Sequence, residues 1–194
     1  MGLRVIVAED EAIIRLDLVE LLKESGFDVV AQTNRGDEVL ELVEKHKPDV
    51  AILDVKMPGL DGISATAQIA QKQETAVIIL SAFSQQDLLD QAQHAGAQGY
   101  LVKPFHKAEL IPAIETAYAR FAEKKYVETT GASDANKAEL AKKVAHAKAV
   151  LMDEHGLSES TAWQFISDTA HAGGRHISDV VSDIIEGTIA PQQA

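Results

Sequence analysis

Four short apolar runs in this chain end in residues able to handle a phosphoryl group. Glu9-Asp10 follows Val5-Ile6-Val7-Ala8, and Asp54 closes Val50-Ala51-Ile52-Leu53. Ser81 closes Val77-Ile78-Ile79-Leu80, and Lys103 follows Tyr100-Leu101-Val102. A carboxylate can accept a phosphoryl group covalently, giving an acyl phosphate. Acceptor and donor are both anionic, so a divalent cation must screen them, and an ammonium can hold a phosphoryl oxygen as a point charge. Magnesium prefers a few carboxylates together with water and phosphate oxygens. Glu9, Asp10 and Asp54 suit that role if the first and third runs lie side by side. Asp54 is then the acceptor, Ser81 a hydrogen-bond donor to the phosphoryl group, and Lys103 its ammonium contact. Pro104 after Lys103 is a candidate cis peptide. Singly, each residue has a plainer reading: Asp54 as a turn residue or helix cap, Lys103 as a solvated charge, Tyr100 as packing. Asp61-Gly62 reads as a cap of the following helix with no chemical role.

The positioning elements are legible in the first 120 residues. Apolar runs Leu3–Ala8, Val29–Thr33, Val50–Val55, Ala76–Ser81 and Gly99–Val102 are rich in Val and Ile and mostly do not alternate, as strands buried on both faces read. Amphipathic stretches near 11–24, 36–46, 61–72, 85–95 and 106–125 separate them, with stop signals at Gly26, Pro48 and Gly96. Five βα repeats imply a parallel sheet covered by helices on both faces. Ligands of such sheets bind at the C-terminal ends of the strands, where the four chemical groups fall.

With these residues in place, residues 1–120 resemble the receiver domain of two-component response regulators. The resemblance rests on Glu9-Asp10, Asp54 with Met57-Pro58 and Asp61-Gly62, Ser81-Ala82, and Tyr100 with Lys103-Pro104-Phe105. It implies an α/β, flavodoxin-like (βα)5 fold with strand order 2-1-3-4-5. It also implies phosphorylation of Asp54 by the phosphohistidine of a sensor histidine kinase. Mg²⁺ would be bound by Asp10, Asp54 and the backbone carbonyl of Lys56, beside Glu9. Ser81 and Tyr100 match the family's switch residues. Glu9 stands where Asp is commoner in the family.

The bulk properties narrow the function classes. The chain has 194 residues, a net charge of −12 and no cysteine. No disulfide framework or thiol nucleophile is possible, which fits a reducing cytoplasm. No segment reads as a signal peptide, and no apolar stretch approaches the roughly 18 residues of a membrane helix. Residues 1–120 carry 11 basic and 19 acidic side chains, and residues 136–194 carry 5 and 8. Neither part is a basic domain, which argues against non-specific attraction to nucleic acid.

Residues 121–135 read as a linker, helical at first and interrupted near Gly131, and residues 136–194 as a small all-α three-helix bundle. One helix runs from about Ala135 to His155, a second starts at Ser158-Glu159-Ser160-Thr161, and a third at Ser178-Asp179. Trp163 and Phe165 are the expected anchors of the core. The segments Ala145–Met152, Gly156–Glu159, Ala162-Trp163 and Ile177–Val181 resemble the ANTAR domain, an output module of transcription antitermination regulators. That resemblance implies binding of paired RNA hairpins. Candidate phosphate contacts are Lys137, Lys142, Lys143, Lys148 and Arg175, with His146 and His176 beside them. A homodimer on activation would raise affinity through effective concentration. Two other outputs compete. A protein-interaction or dimerisation module suits the acidic charge. A DNA-binding helix-turn-helix is disfavoured because Ala162–Ala172 contains no Lys or Arg. A metabolic enzyme has little support, since Asp54 would be consumed and regenerated as a signalling acceptor with slow self-hydrolysis.

Overall fold

The computed structural model describes residues 3–72, 74–82, 86–129, 134–173 and 175–191, without the side chains of 127–129, 134–137 and 171–173. The chain divides into two compact units, residues 1–121 and 122–194.

The first unit is a five-stranded parallel sheet: β1 (Arg4–Ala8), β2 (Asp28–Thr33), β3 (Val50–Asp54), β4 (Ala76–Ser81) and β5 (Gly99–Val102). Spatial order is β2-β1-β3-β4-β5. The intervening helices are α1 (Ala12–Glu24), α2 (Val39–His46), α3 (Gly62–Lys72) and α4 (Gln86–Ala95), and α5 (Lys107–Thr129) follows β5. This is the flavodoxin-like arrangement that the receiver resemblance implies. Every residue of β3 and β4 is buried, because helices cover both faces. Alternate residues feed two cores. Val5, Val7, Val50, Ile52, Ile78 and Leu80 pack with Leu18 and Leu22 of α1 and Leu110 and Ile114 of α5. Ile6, Ala8, Ala51, Leu53, Val77 and Ile79 pack with Val43 of α2, Ile69 of α3 and Ala92 of α4.

Local departures from the sequence pattern have local causes. The stretch at 36–46 opens as a 3-10 turn over Gly36–Glu38 before α2 begins. Backbone crowding sets that turn: a side chain on Gly36 would put its Cβ 1.8 Å from the Leu60 carbonyl oxygen. The Gly36 N–H instead donates to Pro58 O at 3.1 Å, pinning the turn to the loop after β3. Helix α2 ends on Lys47 in the left-handed region, φ 44, so a non-glycine residue makes the stop before Pro48.

The second unit is helical: the last residues of α5, then α6 (Asp134–His155), α7 (Glu159–Gly173) and α8 (Ile177–Ile185). Its core is Val144, Ala147 and Leu151 of α6, Ala162, Trp163, Ile166 and Ala170 of α7, and Ile177, Val180, Val181 and Ile184 of α8. Trp163 is buried as expected of an anchor, while Phe165 is half-buried. No helix among the described residues is long and apolar enough to cross a membrane.

Candidate functional site

The strand order brings four chemical groups to one edge of the sheet. Ala8 pairs with Leu53, Asp54 with Leu80, and Ser81 with Val102, so the ends of β1, β3, β4 and β5 lie in sequence. The chain reverses its winding between β1 and β3, and this switch point is where open α/β sheets bind ligands.

Lys103 ties the edge together. Its Nζ lies 2.5 Å from Glu9 Oε2 and 2.9 Å from Asp54 Oδ1. The Lys103–Pro104 peptide is cis. The Lys103 N–H donates to Ser81 O at 2.7 Å, fixing the start of the β5–α5 loop against β4. Glu9 is fully buried and Asp54 nearly so, whereas Asp10 is exposed. Burial pushes the Glu9 carboxyl above its ordinary value, and the nearby Asp54 charge adds to that, despite the hydrogen bond from Lys103. Burial also works against the Lys103 ammonium, but its hydrogen bonds to Glu9 and Asp54 prevail and hold its pKa above the usual lysine value.

One carboxylate oxygen from each of Glu9, Asp10 and Asp54 lies within 4.8 Å of the other two. Three hard oxygen donors without nitrogen or sulfur fit a magnesium-type cation and not zinc. Lys56 is exposed in the loop after Asp54. An open groove of about 630 Å³ adjoins the acids, lined by Asp10, Lys56, Met57, Pro58, Leu88 and Gln91 among others. Ser81 is buried at the end of β4, and Tyr100 is half-buried on β5.

Two further residues support the site through backbone contacts. Arg15 Nη1 donates to the carbonyl of Glu9 at 2.5 Å and reaches that of Asp10 at 3.4 Å, clamping the backbone of the acid pair. Its signal was a lone cation in the first turn of α1, just after three acids. The second is Gly62, where a Cβ would lie 2.0 Å from the Asp54 carbonyl oxygen, so only glycine lets α3 start against the acceptor's backbone. Asp61 caps that helix: Oδ1 accepts the Ser64 N–H at 2.8 Å and Oδ2 the Ser64 hydroxyl at 2.6 Å.

In the second unit the candidate cations part company. Lys142, Lys143 and His146 are exposed on α6. Arg175 is exposed but paired, with Nη2 at 2.5 Å from Asp183 Oδ2. The side chain of Lys137 lies outside the described residues. Lys148 corrects the expectation of a phosphate contact: it is only 8 % exposed. Its Nζ lies 2.5 Å from Glu123 Oε2 and 3.2 Å from Glu159 Oε1. The reason is periodicity. Val144, Ala147, Lys148 and Leu151 fall at i, i+3, i+4 and i+7 of one helix, so Lys148 belongs to the buried stripe.

Comparison with known proteins agrees with both halves of this picture. Residues 5–115 match the response regulator receiver domain, and residues 135–185 match the ANTAR domain. The chain therefore belongs to the response regulators, with a receiver domain followed by an ANTAR domain. It is 47% identical over 167 residues to the transcriptional regulatory protein PdtaR of Mycobacterium tuberculosis, covering 86% of this chain and 82% of that protein. The chemotaxis protein CheY of Bacillus subtilis is 36% identical over 115 residues, covering 59% of this chain and 96% of CheY. Among solved structures, the receiver domain of NarL from Mycobacterium tuberculosis superposes with a TM-score of 0.59 at 34% identity, covering 60% of this chain and 96% of that one.

Proposed function

We propose that this protein is a phosphorylation-controlled RNA-binding regulator acting in transcription antitermination in the cytoplasm. The observation that carries the reading is the Glu9–Lys103–Asp54 cluster, joined in one chain to a domain of the ANTAR family. An Asp54 carboxylate oxygen attacks the phosphorus of a kinase phosphohistidine. The P–O bond forms, the P–N bond breaks, and the imidazole leaves. Lys103 stands beside Asp54 and holds a phosphoryl oxygen. Ser81 donates its hydroxyl to another, and Tyr100 turns with it as the switch. Glu9, Asp10 and Asp54, with the Lys56 carbonyl, would hold Mg²⁺, which supplies positive charge against the phosphoryl oxygens. Ile13 and Leu16, 76 % and 60 % exposed on α1 just after the acid pair, offer the histidine-bearing kinase an apolar foothold. Asp54 is a signalling acceptor that loses its phosphoryl group slowly to water. In the output domain, Lys142, Lys143 and His146 carry the contact to RNA hairpins, with Lys137 one to two turns upstream on the same helix, and a homodimer formed on activation strengthens it.

One observation favours a second reading, a protein-interaction module. Two of the five candidate RNA cations, Lys148 and Arg175, are already neutralised by carboxylates.

The test is binding of the full chain to a pool of cellular RNA, with and without acetyl phosphate and Mg²⁺, beside Asp54→Ala. Hairpin enrichment that rises with phosphorylation and is lost in Asp54→Ala is the expected result. No enrichment in either state, with phosphorylation of Asp54 verified by mass, rejects RNA binding in favour of the protein-interaction module.

A further inference from the structure

We propose that Glu123, Lys148 and Glu159 form a releasable latch through which the end of α5 controls the output unit, with Lys148 as its positioning residue. This rests on the reading that phosphoryl-Asp54 regulates that unit.

The chemistry of the triad argues for release. A buried ammonium must keep a counter-ion, and removing its last partner leaves an uncompensated charge. Lys148 has two. Glu123 lies at 2.5 Å with its side chain 17 % exposed, and Glu159 at 3.2 Å with 27 %. One carboxylate suffices to neutralise one ammonium, so either glutamate can hold Lys148 alone. A single Lys–Glu pair would be a permanent staple. With two carboxylates, Glu123 can withdraw while Glu159, on α7 within the bundle, keeps Lys148 satisfied.

The helix that carries Glu123 is the one that can pull it. Helix α5 starts at Lys107, contributes Leu110 and Ile114 to the sheet's core, and continues to Thr129. Its last residues supply the α5 side of the latch. Besides Glu123, Tyr126 sets its ring 6.4 Å from that of Trp163 at 60°. The Tyr126 hydroxyl also accepts the Ile177 N–H that opens α8, at 3.4 Å. Withdrawing this one segment therefore frees α6, α7 and α8 from α5 together, while their shared core and the Lys148–Glu159 pair remain.

Trp163 is the only tryptophan in the chain, and it reports on the latch without any RNA. The experiment follows its emission in the full-length protein, with and without acetyl phosphate and Mg²⁺, with the phosphorylated fraction measured by mass. Phosphorylation is expected to shift wild-type emission to longer wavelength and to leave Asp54→Ala unchanged. Glu123→Gln is expected to show the shifted emission without phosphorylation and no further response. Glu159→Gln, which leaves the α5 bond in place, is expected to keep the response. Circular dichroism checks that each variant is folded. Wild-type emission that ignores verified phosphorylation overturns the latch. So does equal behaviour of Glu123→Gln and Glu159→Gln, which would make the triad merely structural. Failure to bind RNA would reject the RNA reading and leave this emission result standing.

Discussion

The Lys103 ammonium lies 2.9 Å from Asp54 Oδ1 while also holding Glu9, so one cation serves two carboxylates of the cluster. Lys103→Met strands Glu9, which is fully buried. Breaking a buried pair costs about 3–5 kcal/mol while the remaining charge persists. Glu9 already has a raised pKa, and losing the hydrogen bond from Lys103 raises it further. The penalty should therefore be largest where Glu9 is ionised and shrink as pH falls through its folded value. Urea unfolding at pH 8 and pH 5 without Mg²⁺ should show the wild-type-to-variant gap narrowing in acid. An unchanged gap would mean that Glu9 does not carry the cost. In the wild type, Lys103 has the opposite dependence. Its raised pKa contributes stability that is fully present below the ordinary lysine value of 10.5 and is lost as pH rises through the folded value above it.

Gly36→Ala drives a Cβ into the Leu60 carbonyl oxygen, so the loop after β3 must move. Overpacking of this kind costs about 1–3 kcal/mol. The same loop carries Lys56, so phosphorylation by acetyl phosphate should slow as well. Gly26→Ala is the control: its Cβ meets nothing, but φ is +87, and the left-handed backbone costs a side chain about 1–2 kcal/mol. Equal phosphorylation rates in the two variants would dissociate the 3-10 turn from the site.

Asp61→Ala removes the cap of α3 and should cost about 1 kcal/mol at neutral pH. Burial raises the Asp61 carboxyl, but hydrogen bonds from Ser64 and the helix backbone outweigh it and hold the pKa below its ordinary value. That contribution is present above about 3.8 and is lost as pH falls through the depressed value. Thermal unfolding of both proteins at pH 7 and pH 3 should show the difference contracting in acid.

Lysines 142, 143 and 148 share one helix yet should behave as two kinds of residue. Lys142→Ala and Lys143→Ala should alter stability by no more than about 0.5 kcal/mol. Each should reduce the slope of log affinity against log salt for RNA by about 0.7–0.9. Lys148→Met removes the cation that Glu123 and Glu159 share, both only partly exposed, and should destabilise the unit by about 1–3 kcal/mol. A salt titration of RNA binding, set beside chemical denaturation of the same proteins, separates the two effects. Lys148→Met that is stable and loses salt dependence would restore it to the RNA face.

How far a residue could be read in advance depended on whether its neighbours in sequence decide its environment. The strands did well because Val77–Leu80 and Val50–Leu53 are continuous apolar runs bounded by chemical groups, and parallel sheets bury such runs on both faces. Placing those groups together then needed only the strand order. Lys148 departs from expectation because lysine is normally exposed, while its position places it in the buried stripe of Val144, Ala147 and Leu151. Gly36 is silent because its partners are the backbone carbonyls of Pro58 and Leu60, which leave no trace in the side-chain pattern.

The boundary between the two units falls between Phe121 and Ala122, inside a continuous helix. A free-standing output fragment begun at residue 135, where the match to the ANTAR family starts, would omit Glu123 and Tyr126. It would keep Lys148 with one counter-ion and strip Trp163 of its aromatic neighbour. Such a fragment is not the resting module in isolation but a version with the latch already taken off, and its affinity for any ligand would overstate what the intact, unphosphorylated chain presents.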